Sequence, residues 1–197
     1  MRILPLAEQG RWLQSQALPA DPYKAGGETF EFYLQFYPPK HLGGIECFSE
    51  GLISYAGVGG EALMTVVDTE CPREYDERLF NRIRFPVGEG KSIYESPAHL
   101  FSADELPDLI PIFSLTVAWQ WEAYLHMPRT RTVLLNWEGD IFDLWTDDRA
   151  VYLGVSEMLK EFSLSEVAGS QPGDPANGGR PFSPDSTSTP PAAGPRR

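Results

Sequence analysis

Three short apolar runs constrain this chain more than any other feature: WEAYLHM at 121–127, RTVLLNW at 131–137 and DIFDLW at 140–145. Only Pro128-Arg-Thr130 and Glu138-Gly139 separate them. Runs of this length, rich in aromatic and branched residues, extend as strands, and connections this short join neighbours antiparallel. The segment therefore reads as a three-stranded antiparallel meander. With Glu138-Gly139 as a two-residue turn, Trp137 pairs with Asp140 and Leu135 with Phe142. That register puts Val133, Leu135, Trp137, Phe142 and Leu144 on one face, the expected core. The other face then shows Leu134, Asn136, Ile141, Asp143 and Trp145, with Glu122, Tyr124 and His126 beside them from the preceding strand.

What precedes and follows the meander supplies its cover. Residues 6–17 fit a short helix. The run 28–37 alternates with period two, with Phe30, Phe32, Leu34 and Phe36 on one side and Glu31, Tyr33, Gln35 and Tyr37 on the other, a strand stopped by Pro38-Pro39. Apolar runs at 51–56 and 62–67 flank a glycine-rich stretch and suggest a hairpin. Residues 72–85 are charged, with sparse apolar positions, and fit a surface helix or an irregular crossover. Ser102 or Asp104 can cap a helix over roughly 105–119, in which Pro111 predicts a kink or restart. Asp147-Asp148 can cap another over 149–162, with Val151, Val155, Met158, Leu159 and Phe162 on one face. The sum is an α+β fold: an antiparallel sheet ending in a three-stranded meander, with helices packed on one side. Residues 1–167 are read as one globular domain, and 168–197, rich in Pro, Gly and Ser, as a disordered tail that cannot bury enough apolar surface to offset its ordering entropy.

Charge narrows the function classes. Sixteen basic against 28 acidic residues leave a net −12. Such a surface repels phosphate backbones, so nucleic acid is not an expected partner. No stretch is long and apolar enough for a membrane span, and the N-terminus lacks a signal-peptide core, which points to the cytoplasm. Three histidines and two cysteines are too few for a zinc site of the usual spacing, and Cys47 and Cys71 are expected to be reduced and buried. No cofactor is expected.

Two motifs invite chemistry and fall short. FPVGEGKSIY at 85–94 contains the Gly-Lys-Ser that closes a phosphate-binding loop, but Phe85 stands where the loop needs its first glycine, and Pro97 follows where a helix should run. The carboxylates Glu138, Asp140, Asp143, Asp147 and Asp148 do not match a calcium-loop spacing and suit turn and cap positions. His126 with Asp143 has the makings of a general base and its orienting acid, yet no activated Ser or Cys stands near them in the sequence, so no catalytic residue is assigned. The expected function is that of a small acidic cytoplasmic protein, immunity- or adaptor-like, that binds and inhibits a basic partner protein. Its expected contacts are Tyr124, His126, Asn136, Asp143 and Trp145, since aromatics mixed with a few polar groups compose recognition surfaces. The runner-up is a hydrolase-like or small-ligand-binding domain centred on His126, Asn136 and Asp143.

Overall fold

The computed structural model describes residues 1–25, 30–56, 59–68, 74–84 and 92–167. The proposed tail, Cys71 and most of FPVGEGKSIY lie outside the described residues.

The fold is α+β, built on one seven-stranded antiparallel sheet in the order β1-β4-β3-β5-β6-β7-β2. Its strands are β1 (Arg2–Leu4), β2 (Phe32–Phe36), β3 (Ala62–Asp68), β4 (Ala98–Phe101), β5 (Glu122–Met127), β6 (Thr132–Trp137) and β7 (Ile141–Thr146). The helices are α1 (Leu6–Ser15), α2 (Leu42–Ala56), α3 (Glu74–Arg84), α4 (Leu106–Ala118) and α5 (Arg149–Glu161). The meander is present as β5, β6 and β7, pairing with their chain neighbours.

Its register differs from the two-residue-turn expectation. Glu138 and Gly139 both take positive φ (47° and 69°), and the Asp140 amide donates to the Trp137 carbonyl at 2.8 Å, closing a tight turn. The ladder, however, resumes at Ile141, which pairs with Trp137, while Leu135 pairs with Asp143 and Val133 with Trp145. One extra residue in the connection inverts the faces of β7 relative to β6, because side chains alternate with period two. Phe142 and Leu144 thus leave the face of Val133, Leu135 and Trp137, and join Leu134 beneath the helices.

The run at 51–56 is helical, not the first arm of a hairpin. Ile45, Phe48, Leu52, Ile53 and Ala56 recur at helical spacing once the pattern is followed back past Gly43-Gly44, which resemble a loop in sequence. His41 caps this helix, its Nδ1 accepting the Gly44 amide at 2.8 Å, and a β-carbon at position 44 would lie 2.2 Å from the same ring. Cys47 is exposed on this helix, against the expectation of a buried thiol.

Ser102 opens a 3-10 turn (Ala103–Glu105), its amide and hydroxyl both donating to Glu105 Oε2 at 2.9 Å. Pro107 sits in the first turn of α4, where no amide partner is lost, and the helix continues through Pro111. Asp148 caps α5, Oδ1 accepting the Ala150 amide at 2.7 Å.

Two cores result. On one face, α2, α4 and α5 cover Leu34, Phe36, Met64, Leu125, Leu134, Phe142 and Leu144. The Phe142 ring meets Phe36, Phe48 and Phe113 at 5.6–5.9 Å between centroids. On the other face, Leu4, Leu63, Leu100, Tyr124, Val133, Leu135 and Trp145 lie under Leu13 of α1, Leu18 and Phe30. Helix α5 covers the sheet face opposite to that of Tyr124 and Trp145. The face of Tyr124 and Trp145 is covered by the strap leaving α1, residues 16–25, which turns away from the helix at a left-handed Ala17 (φ 53°), with the Leu18 amide bonded back to the Leu13 carbonyl.

Candidate functional site

Four of the five residues singled out from the sequence share the strap face. Tyr124 and His126 on β5 sit opposite Leu135 and Val133, which in turn face Asp143 and Trp145. Asn136 does not join them. It lies on the helix face, where Nδ2 donates to the Trp121 carbonyl at 2.8 Å and Oδ1 accepts the Gly139 amide at 2.9 Å. Its role is to clamp the β6–β7 turn. All five are buried, so as direct partner contacts they are covered in this conformation.

His126 and Asp143 form no dyad. His126 Nε2 lies 3.1 Å from the Pro19 carbonyl, tying the strap to β5, and full burial holds the ring neutral, its pKa lowered to about 4. Asp143 has other partners. Oδ1 accepts from the Tyr33 hydroxyl at 2.5 Å and from Gln35 Nε2 at 2.8 Å, while Oδ2 accepts the Trp137 indole N–H. The arrangement follows from register: Gln35 of β2 and Leu135 of β6 are the direct neighbours of Asp143, so Tyr33 and Trp137 reach it along the same face. Burial raises the Asp143 pKa, and the hydrogen bonds from Tyr33, Gln35, Trp137 and Tyr23 oppose that rise. Among the described residues no basic side chain forms a salt bridge with it.

Around this carboxylate the aromatic rings close a box. Tyr23, from the strap, meets Trp145 edge-on at 4.9 Å and Trp137 at 6.2 Å, and Tyr33 lies 5.5 Å from Trp145. The Tyr23 and Tyr33 hydroxyls are 3.4 Å apart. Burial first, then the Asp143 charge, raises both phenol pKa values, so both remain donors. Tyr23 is 36% exposed, and Tyr33, Gln35 and Trp137 are partly so, which makes them the outward side of the box.

Comparison with protein families, with characterised proteins and with solved structures finds no match. The site's chemistry therefore rests on its own geometry.

Beside the box, acidic groups gather where β5 begins. Glu122 pairs with Asp68 across β3. Its half-buried carboxyl is pushed up to about 7, by desolvation first and then by Asp68, Glu138 and Asp21, with Lys24 partly offsetting them. Lys24 is itself bridged to Asp21 at 3.0 Å. The other carboxylates of the meander disperse: Asp140 pairs with Lys40, Asp147 with Arg131, and Asp148 caps α5. Among the described residues no three His, Cys, Asp or Glu side chains are grouped to hold a metal, and no helix is long and apolar enough to cross a membrane.

Sequence reasoning missed Tyr23, Tyr33, Gln35 and Trp137 as neighbours of Asp143. Tyr33 and Gln35 were visible as the polar side of an alternating strand, but nothing local says that this strand pairs with β7. Tyr23 sits in a loop with no periodic signal.

Proposed function

We propose that this chain is a small acidic interaction protein of the cytoplasm that binds a basic partner protein and, by covering its working surface, inhibits it. The observation that carries the reading is the gathering of Asp21, Asp68 and Glu138 around the half-buried Glu122 carboxyl, whose pKa is raised by burial first and then by these three neighbours. Lysine or arginine side chains arriving there would relieve that repulsion, and the partly exposed Tyr23 and Trp137 alongside offer the aromatic area on which tight interfaces depend. Net charge −12 steers a basic protein toward this surface and turns nucleic acid away. No observation favours the hydrolase-like alternative, since His126 is spent on the strap and Asn136 on the turn.

The test is affinity capture with the full chain from its native host at low and at high salt, repeated with the double variant Glu122→Gln/Glu138→Gln. A basic protein retained at low salt, released as salt rises and retained about tenfold less by the variant supports the reading. Retention of no basic protein at low salt, or retention indifferent to both salt and variant, removes it.

A further inference from the structure

We propose that the aromatic box over Asp143 is a recognition pocket for the guanidinium group of an arginine on that basic partner, and that Tyr23 is the residue that vacates it. This deepens the function proposed above and rests on it for the source of the arginine.

Three observations converge. First, Asp143 is fully buried and among the described residues has no cationic partner; its charge is answered by neutral donors, Tyr33, Gln35 and Trp137 from the sheet and Tyr23 from the strap. A buried carboxylate left without a counter-charge is costly, and a cation reaching it would repay that cost. Second, a carboxylate offers about four acceptor positions, and the three fixed donors leave one on Oδ2. The Tyr23 hydroxyl, 3.4 Å from that of Tyr33, is a further neutral donor on the strap side of the carboxylate, and its departure would free room there for a ligand's N–H. Third, the walls are indoles and phenols, the side chains whose faces hold organic cations. A guanidinium is planar, stacks on such rings and donates to a carboxylate in the same plane, which a compact ammonium cannot do at once.

Tyr23 is the removable wall. The other members are carried on β2, β6 and β7, each held by ladder pairing on at least one side. Tyr23 belongs to the strap, whose polar ties to the sheet among the described residues, besides those of Tyr23 itself, are Pro19 to His126, Ala17 to Arg131 and Asp21 to Tyr124, all N-terminal to it. The bonds of Asp21 to the Tyr23 and Lys24 amides are local and travel with the strap. The acidic groups Asp21, Glu122 and Glu138 lie beside the box, Asp21 two residues from Tyr23 and Glu138 next to Trp137, so the surface that draws in a basic segment is the one that adjoins the box.

The experiment follows the indole N–H resonances of Trp137 and Trp145 by NMR while N-acetyl-argininamide is added to the full chain. Saturable movement of both signals is expected, with binding about tenfold tighter in Tyr23→Ala because the intramolecular competitor is gone. N-acetyl-lysinamide and tetramethylammonium should bind at least about tenfold more weakly, lacking the planar donor pair. Asp143→Asn, if it folds, should abolish the shifts; if it does not fold, the Tyr23→Ala comparison decides alone. Indoles that stay still in both wild type and Tyr23→Ala, binding that weakens or is unchanged in Tyr23→Ala, or equal binding of tetramethylammonium would each overturn the pocket. Salt-sensitive capture of a basic protein together with silent indoles would sink the pocket and leave the proposed function standing; indole shifts with no captured protein would do the reverse.

Discussion

The two faces of the sheet are held by different physics. The helix face is a conventional apolar layer in which aliphatic and phenyl groups from α2, α4 and α5 interlock with Phe36, Phe142 and Leu144. The strap face mixes Leu63, Val133 and Leu135 with a buried carboxylate, a histidine, two indoles and two phenols. Apolar burial is non-directional and tolerates loss in increments, whereas a polar network depends on every member keeping its partner. The face covered by the strap is thus also the face with the more exacting geometry.

The largest expected effect tests the helix face. Phe142→Ala should cost about 4 kcal/mol, since it empties the middle of a four-ring cluster, and urea denaturation at pH 7 measures it.

Acid probes both faces at once, because each buries one neutral histidine. His99 on β4 lies on the helix face near Arg84 and against the Phe80 ring, its pKa lowered to about 3; His126 on the strap face is lowered to about 4. A base with a depressed folded pKa contributes stability that is whole above its unfolded value near 6.5 and is lost as pH falls toward the folded value. By pH 4.5 each should have withdrawn roughly 2–3 kcal/mol, so denaturation midpoints at pH 7 and 4.5 should converge in His126→Gln and His99→Gln relative to wild type. A wild-type stability flat over this interval contradicts both assignments.

Gly139→Ala should follow at about 2 kcal/mol or more. The residue has φ 69°, and an added β-carbon would sit 2.4 Å from the Val117 carbonyl oxygen at the end of α4. The turn that sets the faces of β7 is therefore braced by a helix as well as by Asn136.

The smallest effect has the opposite sign. Glu122 holds its proton more tightly folded than unfolded, so its contribution is full below about 4.5 and is lost as pH rises through about 7. Glu122→Gln should leave stability at pH 4 unchanged and raise it at pH 8 by at most about 1 kcal/mol once solvent screening of this half-exposed group is allowed for. Thermal melts at the two pH values decide it, and a gain at pH 4 as large as that at pH 8 would show that charge is not the cause.

How far the sequence can be read follows the same division. Periodicity marked α1, α4, α5 and the three strands of the meander, because each buries a stripe or face that repeats locally. It failed at α2, where two glycines hide the start of a helical pattern, and it gave no sign of the short β1 and β4. At the site, Asp143, Trp145, Tyr124 and His126 were legible as one face, but for a partly mistaken reason: a slip of one residue at Asp140 exchanged Asn136 and Leu134 for Val133, Leu135 and Trp137 as their companions. The cover was illegible. Whether a helix or a strap lies over a sheet depends on pairings between distant strands, and no local pattern near Tyr23 or Tyr33 encodes the partnership of β2 with β7.

Strand order has a consequence for how the chain reaches this state. The first two strands lie at opposite edges of the sheet, β1 on β4 and β2 on β7, with α1 and the strap running between them. Arg2 has no partner until Leu100 exists, and Leu34 none until Leu144 does. During synthesis β1 must wait, unpaired, for β4, and β2 for the last strand of the meander. Such distant pairing makes for slow assembly with the aromatic face of the meander bare in the interval. The box over Asp143 is complete only once the strap brings Tyr23 against Trp145 and Trp137.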